Sequence, residues 1–239
     1  MAVHGKKRRR AAWSLLFVFL SLILLPAAVA AENEFVWAAR FPSTELIKGV
    51  PPGWVMDRKA GTMNLALVQE GESVALHLTA DRNSSFGIKR EPSVDLRQYP
   101  FLNWLWKATR LPNGGDVRHA ETDDQALQIY VAFPSTGFPA KLNTPVLGYI
   151  WDNEAPRGWT GRSNQVGGGK LRYVVVRNKA DRLGEWRSEK RNLLEDFRGL
   201  FGDLKKVDPV TQGIELYTNA QHTKSRAEGW FGEIFFSQN

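Results

Sequence analysis

The sequence predicts a mainly β protein, an antiparallel β-sandwich with one or two short helices that follows an N-terminal signal peptide. Several segments alternate apolar and polar residues with a period of two, as strands with one buried face do. Turns rich in Gly, Pro, Asn and Asp separate these segments, and no strand-helix-strand rhythm typical of a parallel sheet is present. The 209 residues that follow position 30 are enough for a single sandwich domain, which we assign to residues 31–239.

The first 30 residues have the three parts of a cleavable leader. Five basic residues at 6–10 precede an apolar stretch at 11–25, Pro26 interrupts it, and the small residues Ala-Val-Ala at 28–30 follow. We expect cleavage before Ala31, a periplasmic or secreted location, and no membrane span in the mature chain. The alternative is a retained signal anchor, because the apolar stretch approaches the ~18 residues of a spanning helix.

Charge and cysteine content exclude several classes of function. The leader holds five of the 32 Lys and Arg residues and none of the 25 Asp and Glu residues, so the mature chain has 27 basic and 25 acidic residues, a net charge of +2. This balance argues against a nucleic-acid partner. The chain has no cysteine, which excludes disulfides, thiolate metal sites, cysteine nucleophiles and lipidation of a leader cysteine.

Four segments give clear strand predictions and two give weaker ones. In residues 125–133, Leu127, Ile129 and Val131 share one face while Gln128 and Tyr130 lie on the other. The other clear strands are predicted at 103–108, 170–176 and 213–218, and the weaker ones at 73–78 and 232–236.

One helix is predicted at residues 193–201. Leucine and phenylalanine recur there at helical spacing and form a single apolar stripe. Asn192 is placed to cap the first turn, with Glu195 three residues later. Gly202 follows the last apolar residue, where a left-handed C-terminal cap is expected.

The common catalytic motifs are absent. The chain contains no H-E-x-x-H, G-x-S-x-G or G-x-G-x-x-G pattern, and Gly169-Lys170 lacks the hydroxyl residue and first glycine of a phosphate-binding loop. The three histidines of the mature chain have no spacing that would place two on one helix face as metal ligands. The sequence therefore predicts no cofactor and favours a binding protein over an enzyme.

A long connection after residue 150 has the composition of a sugar-binding loop. Sugar rings present apolar faces and a rim of hydroxyls, so their sites combine aromatic rings with amides, carboxylates and Arg. The candidate ligand-binding residues, completed by two from the end of a later strand, are Trp151, Asp152, Trp159, Arg162, Asn164, Asn219 and His222. The alternative is that Trp151 and Trp159 close the open end of the sandwich and that the polar residues are solvated.

Acidic residues suggest two further kinds of site. Asp123 and Asp124 offer oxygen ligands of the type that Ca²⁺ prefers, although acidic residues before a strand are usually solvated turn residues. A glycoside hydrolase would need two carboxyl groups roughly 5 to 9.5 Å apart. Candidates for such a pair are Asp152, Glu154, Glu228 and Glu233.

Four blocks of the sequence resemble a bacterial family of exported proteins known as domain of unknown function 3047. They are residues 99–112, the Asp123-Asp124 pair with the strand 128–133, residues 183–197 from Leu-Gly-Glu-Trp through Glu-Lys-Arg-Asn to Asp-Phe, and residues 213–236. The resemblance implies a jelly-roll sandwich similar to galactose-binding-like and carbohydrate-binding modules. The chain departs from the family pattern at 218–223, where acidic residues are expected, and at Leu105, where Arg is expected.

Three functional hypotheses follow. The first is an exported, non-catalytic protein that binds a polysaccharide or other glycan. The second is an envelope assembly or scaffolding factor with a protein partner, because related jelly rolls in the complex-I intermediate-associated proteins act on proteins. The third is a glycoside hydrolase or lyase.

Overall fold

The computed structural model describes residues 1–2, 34–165, 170–204 and 207–239. Residues 3–30 of the predicted leader and the glycines at 167–169 lie outside these residues. The strands are β1 (Phe35–Ala39), β2 (Val55–Ala60), β3 (Leu65–Glu70), β4 (Ser73–Ala80), β5 (Ser85–Arg90), β6 (Phe101–Arg110), β7 (Leu127–Ala132), β8 (Val146–Trp151), β9 (Thr160–Arg162), β10 (Leu171–Arg177), β11 (Arg187–Asn192), β12 (Gly213–Asn219) and β13 (Ala227–Ser237). The helices are α1 (Ala140–Asn143) and α2 (Leu193–Leu200), with a 3₁₀ turn at Ala120–Thr122.

The strands form two sheets, and the predicted sandwich is confirmed. The first sheet has the order β11-β6-β13-β4-β3, with β1 added to β13. The second sheet has the order β2-β5-β12-β7-β8-β10-β9. All six segments predicted as strands correspond to observed strands, namely β4, β6, β7, β10, β12 and β13. None of the predicted segments extends beyond its strand by more than two residues at either end.

The core lies between the two sheets and is rich in aromatic side chains. Alternation places Trp104 and Trp106 of β6 inward, where they face Tyr149 and Trp151 of β8. The centroids of the Trp106 and Trp151 rings are 5.5 Å apart. Strand β7 contributes the apolar face predicted from the sequence, because Leu127, Ile129 and Val131 are fully buried in the same core.

One strand pair departs from the expected antiparallel arrangement. β8 and β10 run parallel, with Leu171 opposite Val146 and Val175 opposite Ile150. Parallel neighbours require a long connection that returns the chain to its starting end. Residues 152–170 provide it, and the short β9 within this connection pairs antiparallel with β10 at the sheet edge.

Helix α2 confirms the predicted cap at its start but not at its end. The Asn192 side chain accepts a hydrogen bond of 3.1 Å from the backbone N–H of Glu195. The predicted left-handed cap at Gly202 is wrong, because Gly202 does not have a positive φ. The helix ends at Phe201, whose ring packs on Phe197 with 5.4 Å between centroids. Within the described part of the chain, no helix combines the length and apolar character needed to cross a bilayer.

Two leucines separate the contribution of the core from that of the surface. Leu216 is fully buried between the sheets, whereas Leu105 is 37% exposed on the outer face of the first sheet. We expect Leu216→Ala to lower the free energy of unfolding by about 2–5 kcal/mol, because it leaves a cavity. Leu105→Ala removes the same atoms and should lower the free energy of unfolding by at most about 1 kcal/mol. Urea denaturation measures both, and equal losses would contradict the assigned core.

Candidate functional site

A polar depression of about 420 Å³ lies on the outer face of the second sheet, the face turned away from the core. Its size is within the range of small-ligand sites. Strands β5, β7, β10 and β12 supply its floor, and the segments around α1 and after β12 supply its walls. The lining residues are Lys59, Ser85, Asp123, Gln128, Tyr130, Leu142, Thr144, Val146, Ser163, Gln165, Lys170, Leu171, Tyr173, Tyr217, Asn219, Gln221 and His222.

Three tyrosines form the floor. Tyr130 lies between Tyr173 and Tyr217, with ring centroids 6.3 and 5.9 Å away. Gly148 of β8 makes this packing possible, because a Cβ at this position would lie 2.9 Å from ring atoms of both Tyr130 and Tyr173. Burial raises the pKa of all three phenols, so the hydroxyls stay protonated at neutral pH and are able both to donate and to accept hydrogen bonds.

The Asn219 side chain at the end of β12 connects the walls of the depression. Its Oδ1 accepts hydrogen bonds from Gln128 Nε2 at 2.7 Å and from the backbone N–H of Gln125 at 2.8 Å. Its Nδ2 donates to the backbone carbonyl of Asp123 at 2.7 Å. Gln128 Oε1 in turn accepts a hydrogen bond from the Tyr130 hydroxyl. One buried carboxamide therefore fixes both a wall and part of the floor.

Two buried carboxyl groups share a hydrogen-bond donor beside the depression. Gln125 Nε2 donates to Asp123 Oδ1 at 3.0 Å and to Asp152 Oδ2 at 3.3 Å. Burial raises the pKa of Asp123, and it raises the pKa of Asp152 to about 6. The two differ in position, since Asp123 lines the depression whereas Asp152 is fully buried behind it.

Asp152 is a structural residue in this arrangement. Its Oδ1 accepts from the backbone N–H of Ala155 at 2.7 Å and its Oδ2 from that of Val117 at 3.0 Å. These bonds hold the segment before β7 against the segment after β8. Its carboxyl group has no exposed surface with which to contact a ligand.

The remaining predicted site residues divide into two groups. Asn219 and His222 line the depression, and the His222 ring lies 3.2 Å from the side-chain amide of Gln221. Trp151, Trp159, Arg162 and Asn164 are not lining residues. Trp151 is fully buried, because alternation along β8 turns it inward onto Trp106.

The other members of the predicted loop are engaged elsewhere. Trp159 is partly buried and packs over Gly161, where a Cβ would lie 2.3 Å from the indole. Arg162 is exposed and forms an ion pair of 2.8 Å with Asp203. Asn164 Nδ2 donates to the backbone carbonyl of Arg118 at 2.6 Å. The long connection thus contributes Ser163, Gln165 and Lys170 to the lining of the depression, but not the tryptophans, Arg162 and Asn164 that were predicted to bind a ligand.

The structure separates the two predicted calcium ligands. Asp124 is fully buried and its Oδ2 accepts from the backbone N–H and the hydroxyl of Thr223, at 2.6 and 2.8 Å. Its neighbour Asp123 faces the depression instead. Among the described residues, no group of three or more His, Cys, Asp or Glu side chains is placed to hold a metal ion.

The three tyrosines and Gln128 of the depression were not among the predicted site residues. The alternation that predicted β7 and β12 already placed Gln128, Tyr130 and Tyr217 on the faces opposite the core. Outward positions of a solvated sheet usually carry charged residues. A tyrosine at such a position on each of three strands was the available signal.

Comparison with known proteins identifies a family and a set of distant structural similarities. The family described as "Protein of unknown function (DUF3047)" matches residues 53–235. No curated protein matches significantly. A family 11 carbohydrate-binding module of a cellulosomal cellulase from Clostridium thermocellum is 7% identical, with a TM-score of 0.46 over 85% of this chain and 94% of that chain.

Two further solved structures are similar at the same level. A family 11 module from Clostridium thermocellum in complex with a β-1,3-1,4-mixed-linked tetrasaccharide is 9% identical, with a TM-score of 0.42 over 85% of this chain and 94% of that one. A xylanase mutant is 12% identical, with a TM-score of 0.45 over 87% and 89%. At these values the similarities carry no inference about function, which has to come from the site.

The buried Asp152 predicts a pH-dependent stability. Its pKa is about 6 in the folded protein against an ordinary value of 3.8, so its ionisation favours unfolding. Its contribution to stability is complete below pH ~4 and is lost as the pH rises to about 6. We therefore compare the free energy of unfolding of wild type with that of Asp152→Asn. The amount by which wild type exceeds the variant should be about 3 kcal/mol smaller at pH 7 than at pH 4.

Chemical denaturation across this pH range measures the difference. Glu72→Gln, at an exposed turn between β3 and β4, is the control for loss of a carboxyl group far from the depression. A difference between wild type and Asp152→Asn that does not change with pH would contradict the assigned burial.

Proposed function

The chain belongs to the DUF3047 family, and we propose that it is an exported protein that binds a glycan in the depression on the outer face of its second sheet. The observation that carries this proposal is the convergence of carboxamides, hydroxyls and one carboxyl group over a tyrosine floor. Such a mixture of donors and acceptors beside aromatic surface matches the hydroxyl rim and apolar faces of a sugar.

The groups that would contact the glycan are held in place before it binds. Gln128 is fixed by Asn219 and Tyr130, and Ser85 Oγ lies 2.8 Å from the Tyr217 hydroxyl. Preorganisation of this kind reduces the entropy that a ligand would otherwise lose in ordering its site. Rigid, buried polar groups therefore favour selective recognition of one arrangement of hydroxyls.

The carboxyl content of the depression favours binding over hydrolysis. Glycoside hydrolases generally act with a pair of carboxyl groups that flank the bond to be broken. Asp123 is the one carboxyl group among the described lining residues. The other residues considered for such a pair lie elsewhere: Glu228 bonds His77 and Thr109 on the first sheet, and Glu233 pairs with Arg40.

Export is the second part of the proposal and rests on the predicted leader at residues 1–30. A protein outside the cytoplasm meets the polysaccharides of the envelope and the surroundings. Mass measurement of the protein from an envelope fraction is expected to give a chain that begins at Ala31, and a chain that keeps residues 1–30 in the cytoplasm would contradict this part.

The carboxyl group of Asp123 provides the test of the binding site. We expect Asp123→Asn to weaken glycan binding by about tenfold or more, because hydrogen bonds to a charged acceptor are worth about 1.5–3 kcal/mol. Isothermal titration with a panel of neutral and acidic oligosaccharides measures the affinity, and thermal unfolding checks that the variant is folded.

Arg162→Gln is the matched control, because Arg162 belongs to the same region but lies outside the depression. Its affinity should equal that of wild type. Binding that survives Asp123→Asn unchanged, or that Arg162→Gln alone abolishes, would place the site elsewhere. Failure of the wild-type protein to bind any member of the panel would contradict the proposed function itself.

A further inference from the structure

Two lysines reach the depression from different sides of the second sheet. Lys59 belongs to β2 at one edge, and Lys170 directly precedes β10. Five strand-to-strand steps separate β2 from β10 in the sheet order, a distance of roughly 24 Å at the usual strand spacing. Both side chains nevertheless line the same depression, so its two ends each carry a positive charge.

Among the described residues, no carboxyl group forms an ion pair with either lysine. Lys89, a lysine on the same face, forms an ion pair of 3.0 Å with Asp57. Lys59 Nζ lies 5.3 Å from the centroid of the Tyr217 ring. Within the described residues neither Lys59 nor Lys170 forms a salt bridge. Their ammonium groups are therefore available to a ligand.

The acidic groups of this face offset the lysines only in part. Asp57 is already paired with Lys89. Burial raises the pKa of the partly buried Glu215 to about 7, and it raises that of Asp123 above its usual range. Near neutral pH Glu215 thus carries less negative charge than a carboxylate in water, and Asp123 Oδ1 already accepts a hydrogen bond from Gln125 Nε2.

We propose that the glycan bound here is an acidic oligosaccharide, whose sugars carry carboxylate or sulfate groups that Lys59 and Lys170 receive at the two ends of the depression. This inference rests on the proposed function and names its ligand class. The carboxamides and tyrosine hydroxyls contact sugar hydroxyls, whereas each ammonium group attracts an anionic substituent as a point charge. Two separate positive charges in one depression favour an oligosaccharide, which carries several anionic groups, over a single sugar.

The experiment compares each negatively charged oligosaccharide with a neutral counterpart that has the same sugar chain. Oligogalacturonate is titrated beside its methyl ester, and a sulfated oligosaccharide beside its desulfated form. We expect wild type to bind the charged member of one pair about tenfold more tightly, a preference that high salt reduces. A preference within the galacturonate pair indicates that the site recognises carboxylate groups. A preference within the sulfated pair indicates that it recognises sulfate groups.

Variants assign the preference to the two lysines. The double variant Lys59→Gln/Lys170→Gln should lose the preference, so that it binds the charged and the neutral member of a pair with equal affinity. Lys190→Gln, an exposed lysine of β11 in the first sheet, is the matched control and should behave like wild type.

The outcomes separate this inference from the proposed function. Equal binding of charged and neutral members by wild type would overturn the inference and leave glycan binding in place. A preference that the double variant retains would overturn the role of the two lysines. No binding of any oligosaccharide would overturn the proposed function as well.

Discussion

The depression depends on the hydrogen bonds of one buried carboxamide, that of Asn219. Its oxygen accepts from the Gln125 backbone and the Gln128 side chain, and its nitrogen donates to the carbonyl of Asp123. These bonds join the end of β12 to the residues that lead into β7, and they set the position of the lining carboxyl group. A buried carboxamide with its donors and acceptors satisfied adds little net stability, but an unsatisfied one costs about 1–3 kcal/mol. The network therefore favours one arrangement of the walls.

The two sheets have outer faces of different character, which is consistent with the proposed site on the second of them. On the first sheet, the rings of Trp186 and Trp230 are covered: Lys107 Nζ lies 4.9 and 4.5 Å from their centroids, and His77 stacks on Trp230 at 4.1 Å. Glu70 completes the group with an ion pair of 2.9 Å to Lys107. On the second sheet, Gly148 lets tyrosines lie across the strands and leaves a depression above them. On the first face a charged side chain thus covers the indoles, whereas on the second face tyrosines line an open depression.

The sequence predicted the fold better than the site because the two depend on different ranges of interaction. Alternation and turn residues are local, and they were sufficient to predict the sandwich, α2 and its Asn192 cap. The site depends on which strands are neighbours, and Tyr130, Tyr173 and Tyr217 are brought together by a sheet order that composition does not encode. Trp151 illustrates the difference: it stands next to a polar connection in sequence, yet its position in β8 turns it into the core. Asn219 and His222 were predicted because they end or follow a strand, where side chains of neighbouring segments meet, and both line the depression.

The proposed function places a bound glycan on the outer face of the second sheet. Chemical-shift mapping by NMR with a bound oligosaccharide tests it most directly. We expect the largest shifts at the side-chain amides of Gln128, Asn219 and Gln221 and at the tyrosine rings of the floor. Shifts confined to the indoles of Trp186 and Trp230 on the first sheet would contradict it.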